Sequence, residues 1–358
     1  MKKAALAILI LGIIAIVAVR QVYFTRSGAG GAAKGLKGKV GGEKMALMED
    51  PRIADAIKEG YSLATQPVKA GSIEMAEQDP GQNDFLFPGS QVATEIFKTR
   101  HGDKVIESKT VFRSPLVIYS WDNTAQALIK EGLVRQVNNA YYIVDMPKLV
   151  KLIVDGKPWS DLGLPYYGKV LVTTTDPAYS NSGAMFAGLM ANVLVGEGSV
   201  ADESNVEPYL PTLKAFFNRL GFMERSSLDI FEAYLTTGEG AKPLVVGYEN
   251  QMIEFAIQRP DLWNQSKDKV RVLYPVPTCW SAHDLIALNG DATGLIRALS
   301  DPGIQKLAWE LHGFRSGQSN ATMDTKIMGN IAIPQQLDKV VPLPNYVTMN
   351  KILAAIKQ

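Results

Sequence analysis

Polar residues that could hold a small solute follow three apolar runs of the chain. Residues 87–90 (Phe-Pro-Gly-Ser) and 247–251 (Gly-Tyr-Glu-Asn-Gln) each stand between a predicted strand and a predicted helix. The longest cluster, residues 173–183, is rich in hydroxyls and precedes an apolar helix. Helix N-termini carry unpaired N–H groups and a partial positive charge, so these positions suit carboxylates and oxyanions. Plain helix capping, turn formation and a helix-start acid are the alternative interpretations.

A hydrolase is the main competing kind of chemistry. Ser281, His283 and Asp284 lie close together in the sequence. Catalytic triads bring together residues from distant segments, so closeness in sequence does not support one. No GxSxG motif precedes a helix, and the three histidines show no metal-ligand spacing. We therefore expect no enzyme activity, no catalytic residues, no metal site and no cofactor.

The elements that would position these clusters alternate between strands and helices. Strands are predicted over residues 84–87, 116–119, 169–173, 244–246, 270–274 and 285–288. Helices are predicted over residues 90–98, 124–131, 182–195, 213–220, 251–257, 293–299 and 303–311. Such alternation indicates an α/β fold with mostly parallel sheets, in which ligands bind beyond the carboxyl ends of strands.

Composition limits the possible partners. The chain has 358 residues and a formal net charge of +1, which gives no concentrated basic field and no support for a nucleic-acid partner. Its one cysteine, Cys279, cannot close an intramolecular disulfide. No cysteine lies near the N-terminus, so we expect no lipoprotein anchor.

The first 26 residues predict a signal peptide or a membrane anchor. Lys2 and Lys3 precede an apolar run over residues 4–19, and no small-residue cleavage site follows it cleanly. We favour an uncleaved N-terminal apolar helix in the cell membrane, with the folded domain extracytoplasmic, either periplasmic or at the cell surface. Residues 27–45 are rich in glycine and predict a flexible linker.

Several motifs resemble those of bacterial solute-binding proteins with the type 2 periplasmic-binding fold. They are TDPAYSNSG at residues 175–183, VGYENQ at 246–251 and VRVLYPVPTCWSAHDLIALN at 270–289. The resemblance covers about residues 46–315 and is nearest to the molybdate/sulfate-like branch of the substrate-binding proteins of ABC transporters. It implies two α/β lobes, residues 46–117 plus 273–358 and residues 118–272. They would be joined by two hinge crossings, at residues 114–119 and 272–277, and would close on a ligand.

The resemblance also implies a site that is shared by both lobes. The residues at the matching positions are Ser90, Ser114, Ser180, Asn181, Ser182, Tyr248, Glu249, Asn250 and Ser281. The implied function is binding of a small polar or anionic solute outside the cytoplasm, for delivery to an ABC-type importer through a membrane permease. Alternatives are a ligand-binding sensor or an envelope-complex component without transport, and, less favoured, a secreted hydrolase.

Overall fold

The computed structural model describes residues 32–196, 198–318, 324–325, 332–337 and 339–357. The predicted signal or anchor over residues 1–26 lies outside these ranges. Within the described residues, no helix has the length and apolar character that crossing a membrane requires.

Ten strands among the described residues form one mixed sheet in the order β2-β1-β3-β9-β4-β8-β6-β5, and β7 and β10 also pair with β4. They are β1 (Lys34–Val40), β2 (Leu63–Lys69), β3 (Phe85–Phe87), β4 (Glu107–Trp121), β5 (Val134–Val137), β6 (Ala140–Ile143), β7 (Leu244–Tyr248), β8 (Val270–Pro275), β9 (Trp280–Ala287) and β10 (Arg315–Ser316).

The α-helices of the described residues lie between or after these strands, singly or in runs of two to four. They are α1 (Met45–Glu49), α2 (Pro51–Tyr61), α3 (Ser72–Glu77), α4 (Gln91–His101), α5 (Asp122–Lys130), α6 (Met146–Val154), α7 (Asn181–Val195), α8 (Leu210–Leu220), α9 (Ser227–Thr237), α10 (Glu249–Gln258), α11 (Pro260–Ser266), α12 (Gly290–Leu299), α13 (Pro302–His312) and α14 (Tyr346–Lys357).

The long strand β4 divides the sheet into two half-sheets. Its residues 107–115 pair with β9, whereas residues 116–121 pair with β7 and β8. The first half-sheet comprises β1, β2, β3, β9, β10 and the start of β4, and the second half-sheet comprises β5 to β8 and the end of β4. The change of partners falls inside the predicted crossing at residues 114–119. The α/β architecture agrees with the predicted fold class.

Two predictions about the sheet are wrong. The sheet is mixed rather than mostly parallel, because β9 runs antiparallel to β3 and β4, and β4 runs antiparallel to β7 and β8. Residues 169–173 do not form a strand. Only single bridges occur there, from Lys169 to Pro158 and from Thr173 to Val245, so the apolar run packs as irregular chain.

The predicted linker is also wrong over Lys34–Val40. This segment forms β1, which pairs in parallel with β2 and β3. Leu36 and Val40 are fully buried, so the sparse apolar residues of this glycine-rich stretch lie on one face of a strand. Residues 27–31 of the predicted linker lie outside the described ranges.

The C-terminal helix α14 packs beside the second half-sheet, against α7 and α8, although residues 273–358 were expected to join the first lobe. Helix α7 is apolar on every side and buried over almost its whole length, so it needs cover beyond the sheet. Gly188 permits a close approach, since a Cβ there would lie 2.9 Å from Sδ of Met349. The need to cover α7 is therefore a physical reason for this packing.

Candidate functional site

A cavity of about 320 Å³ lies between the two half-sheets and is called the cleft. The first half-sheet supplies the ends of β1 and β2, with the start of α3, and the second half-sheet is flanked by the starts of α7, α9 and α10. The lining residues are Gly41, Gly42, Glu43, Lys69, Ala70, Gly71, Ser72, Glu74, Tyr179, Ser180, Asn181, Ser182, Arg225, Ser226, Ser227, Leu228 and Tyr248. Its walls thus come from segments far apart in the sequence.

Glu43 reaches the cleft because β1 ends in a tight turn. The N–H of Gly41 donates to the carbonyl oxygen of Phe87 over 3.1 Å, and a short 3-10 helix follows over Gly42–Lys44. The Glu43 side chain is only 8% exposed. A Cβ on Gly89 would lie 2.5 Å from Oε1 of Glu43, so the absence of a side chain at Gly89 makes room for the carboxylate.

The buried side chain of Lys44 bonds to the carboxylate of Glu43. Nζ of Lys44 lies 2.5 Å from Oε1 of Glu43 and 3.2 Å from Nδ1 of His283, and Lys44 and His283 are both fully buried. Burial lowers the pKa of Lys44, and the adjacent Glu43 opposes that change. Burial, followed by the charge of Lys44, lowers the pKa of His283 well below its usual value. A neutral His283 can therefore accept the lysine N–H at Nδ1.

Asn181 connects the two sides of the cleft. Its Nδ2 donates to the carbonyl oxygen of Gly89 over 2.9 Å and to the hydroxyl of Tyr248 over 2.9 Å. The same Gly89 carbonyl accepts from Oγ of Ser281 over 2.5 Å, and the Gly89 N–H donates to Oγ of Ser72 over 2.9 Å. The loop before α4 is thereby tied to both sides of the cleft.

The start of α7 offers backbone donors to the cleft. Ser180 is the residue that precedes the helix, but its side chain accepts no capping hydrogen bond. Its Oγ lies 3.2 Å from Oγ of Ser182, which in turn lies 2.6 Å from Oγ1 of Thr175. Ser180 therefore leaves the N–H groups of the first helical turn without a side-chain cap.

Four of the residues that sequence indicated line the cleft together: Ser180, Asn181, Ser182 and Tyr248. Burial raises the pKa of Tyr248 well above its usual value, and nearby Glu43 adds to that effect, so the phenol stays protonated.

The other five, Ser90, Ser114, Glu249, Asn250 and Ser281, are buried and do not line the cleft wall. Ser90 caps α4 by accepting from the N–H of Ala93, and Ser114 accepts from the N–H of Asn250 over 3.1 Å. Glu249 bonds to Arg315. These contacts position the surrounding elements.

Sequence reasoning missed Glu43, Lys69 and Arg225. Glu43 was assigned to a linker, although the pair of glycines at 41 and 42 after Val40 is a turn signal that could have indicated it. The guanidinium of Arg225 lies 4.0 Å from the ring centre of Tyr179. Within the described residues, neither Lys69 nor Arg225 forms an ion pair. No local pattern marks either side chain as a member of a cleft.

The geometry around Ser281 does not form a catalytic triad. Its Oγ is 3.5 Å from Nε2 of His283, while Nδ1 of that histidine faces the Lys44 ammonium. A triad requires a carboxylate that accepts a hydrogen bond from that ring nitrogen. Oε1 of Glu43 lies 3.6 Å from it but bonds to the Lys44 ammonium, and Asp284 bonds to Thr110 over 2.5 Å. In the described stretches of the chain, no three acidic, histidine or cysteine side chains gather as metal ligands would.

Comparison by sequence matches no protein-family model and no curated protein. Solved structures with similar folds do exist. A periplasmic thiamin binding protein superposes with a TM-score of 0.60 at 11% identity, over 92% of this chain and 96% of the other. The apo ferric ion-binding protein A of Pasteurella haemolytica gives 0.56 at 13% identity, over 91% and 96% of the two chains.

The sulfate-binding protein SubI of Mycobacterium tuberculosis H37Rv gives a TM-score of 0.52 at 14% identity, over 90% of this chain and 96% of the other. At such low identity these likenesses show the fold alone. They confirm the predicted periplasmic-binding-protein-like fold. They do not single out the molybdate/sulfate-like branch, because the three proteins are named for different ligands.

Proposed function

We propose that this chain binds a small polar solute in the cleft, outside the cytoplasm, and presents it to the permease of an ABC-type importer. The observation that carries the proposal is the composition of the cleft wall. It combines buried polar side chains from the segments beside the first half-sheet and beside the second half-sheet. A solute that contacts both walls binds more tightly when the two half-sheets are closed around it than when they are open. Its binding therefore shifts the protein toward the closed arrangement.

The two half-sheets would be the cores of two lobes. The first half-sheet would form the first lobe, and the second half-sheet, together with α14, would form the second. The bond from Asn181 to Gly89 spans the cleft, so it belongs to the closed arrangement that a membrane partner would recognise. The neighbouring structures support this proposal through their fold and through their names as binding proteins.

A binding screen followed by calorimetry tests the proposal. Thermal unfolding is followed with oxyanions, amino acids, sugars and polyamines, and a solute at 100 times its Kd stabilises by about 2.7 kcal/mol. Small-angle scattering with the best solute then measures closure as a fall in radius of gyration. A protein that no solute of any class stabilises contradicts the proposal.

Asn181→Ala is the informative variant. It removes the hydrogen bond to Gly89 that spans the cleft, worth about 1 kcal/mol, so we expect the Kd to rise about fivefold. Ser90→Ala is the matched control, because it removes only a helix cap and should lower stability by about 1 kcal/mol at unchanged affinity. Equal affinities of Asn181→Ala and the parent protein contradict a role of this amide in closure. A loss of affinity in Ser90→Ala would place Ser90 in the site, as the sequence predicts.

A further inference from the structure

The charged side chains of the cleft differ in how they are paired. Glu43 is nearly buried and is held through Oε1 by Lys44. Lys69 and Arg225 line the same cavity, and neither forms an ion pair within the described residues. Glu74 also lines the cavity, and its Oε1 accepts from Nε2 of Gln78 at 3.4 Å. Gln78 is neutral and does not balance the charge of Glu74, but among these residues Lys69 and Arg225 together outnumber that one unpaired acid.

The two cations come from opposite walls. Lys69 is the last residue of β2 in the first half-sheet, and its Cε lies 3.0 Å from the place where a Cβ on Gly42 would be. Arg225 lies just before α9 on the side of the second half-sheet, where its guanidinium is stacked on Tyr179. Since an anion held between them would contact both walls, such a group would favour closure.

Glu43 imposes a second requirement. A carboxylate accepts several hydrogen bonds and donates none when ionised, and Lys44 bonds to Oε1. A solute group in contact with the other oxygen, Oε2, must therefore donate a proton. An oxyanion without a proton would instead meet the like charge of the nearly buried Glu43 carboxylate, which costs binding free energy.

Resting on the proposed function, we infer that the solute of this cleft is a small anion that also carries a hydroxyl or ammonium donor. The anionic group, a carboxylate or a phosphate, lies between Lys69 and Arg225, and the donor lies on Glu43. Fully deprotonated tetrahedral oxyanions, neutral sugars and polyamines each lack one of the two features and are excluded.

Matched probes test the inference by thermal shift and calorimetry. Glycerol 3-phosphate is compared with glycerol and with sulfate, lactate with propionate, and serine with ethanolamine. Stabilisation by at least one probe that carries both features, with at least about tenfold weaker binding of its partners, supports the inference. Tighter binding of sulfate, molybdate, a neutral sugar or a polyamine overturns the inference and leaves the proposed function standing. A protein that binds no probe of any class contradicts both.

Variants separate the two requirements with the best probe. Lys69→Ala and Arg225→Ala should each raise the Kd about tenfold or more, whereas Arg219→Ala, an exposed arginine of α8, should leave it unchanged. Glu43→Gln should raise the affinity for sulfate relative to the parent protein. If Glu43→Gln does not fold, the two cation variants still decide the matter. Unchanged Kd values in Lys69→Ala and Arg225→Ala overturn the inference.

Discussion

Arg315 and Glu249 form a two-pronged ion pair, with 2.6 Å from Nε to Oε1 and 2.9 Å from Nη2 to Oε2. Arg315 belongs to β10 in the first half-sheet, and Glu249 begins α10 directly after β7 of the second. The hydroxyl of Tyr274 donates to the same carboxylate over 2.7 Å. The acid that sequence placed beside the ligand is therefore a buried link between the two half-sheets.

Loss of the Glu249 charge should destabilise the protein strongly. Glu249→Gln leaves the Arg315 guanidinium buried without its counter-charge, a change that typically costs about 3–5 kcal/mol. Denaturant unfolding measures the loss, and Glu232→Gln on the exposed face of α9 is the control. A loss below about 1 kcal/mol would contradict the structural role. Weaker solute binding at full stability would return Glu249 to the site.

Asn250 is a buried amide with unsatisfied polar atoms. Neither Oδ1 nor Nδ2 finds a hydrogen-bond partner among the described residues, although the backbone N–H bonds to Ser114. An unpaired buried polar group costs about 1–3 kcal/mol, so Asn250→Leu should raise the free energy of unfolding by about 1 kcal/mol. Denaturant unfolding and calorimetry are measured together. A lower stability contradicts this prediction, and a lost affinity would support the ligand contact that the sequence predicts.

The protein should lose stability as the pH is lowered below 6.5, because of the titration of His283. Its pKa is lowered well below 6.5 by burial and by Lys44. Below pH 6.5 the imidazole therefore becomes protonated in the unfolded state while it stays neutral in the folded state. Above pH 6.5 neither state holds that proton, and below it the free energy of unfolding falls by up to about 1.4 kcal/mol per pH unit.

His283→Asn should reduce the slope of the free energy of unfolding against pH by the contribution of one proton. The side chain of asparagine offers an oxygen to Lys44 but does not titrate, and His101→Asn on the edge of α4 is the control. Unfolding in urea between pH 5 and 8 gives the slope as a difference from the parent protein. Equal slopes for His283→Asn and the parent protein would show that His283 titrates normally in the folded state.

Cys279 should be inert in the folded protein. It is fully buried, and burial raises the pKa of its thiol to about 12, so almost no thiolate exists at neutral pH. It lies on the chain segment between β8 and β9, where its carbonyl oxygen accepts a hydrogen bond from the N–H of Leu116 in β4. A disulfide reagent at pH 8 should modify it only on denaturation. Rapid labelling of the native protein would contradict this packing.

The sequence reveals the local features of this fold better than its long-range ones. The cap at Ser90 and the cluster at residues 180–182 are local, because a hydroxyl or amide before an apolar helix has few other roles. The contacts of Glu43 and Arg225 are set by segments far away in the chain. Residues 34–40 were predicted to be a linker because their local sequence is rich in glycine. They form a strand through pairing with β2 and β3, which the local sequence pattern cannot reveal.

The packing of α14 fixes the order in which the chain can mature. The second half-sheet contains strands from the middle of the polypeptide, yet the helix that covers α7 is among the last segments made. Until Tyr346–Lys357 arrives, the part of α7 that this helix covers stays exposed to water or to a chaperone. A chain released without this helix would therefore aggregate through α7 while the first half-sheet is already formed.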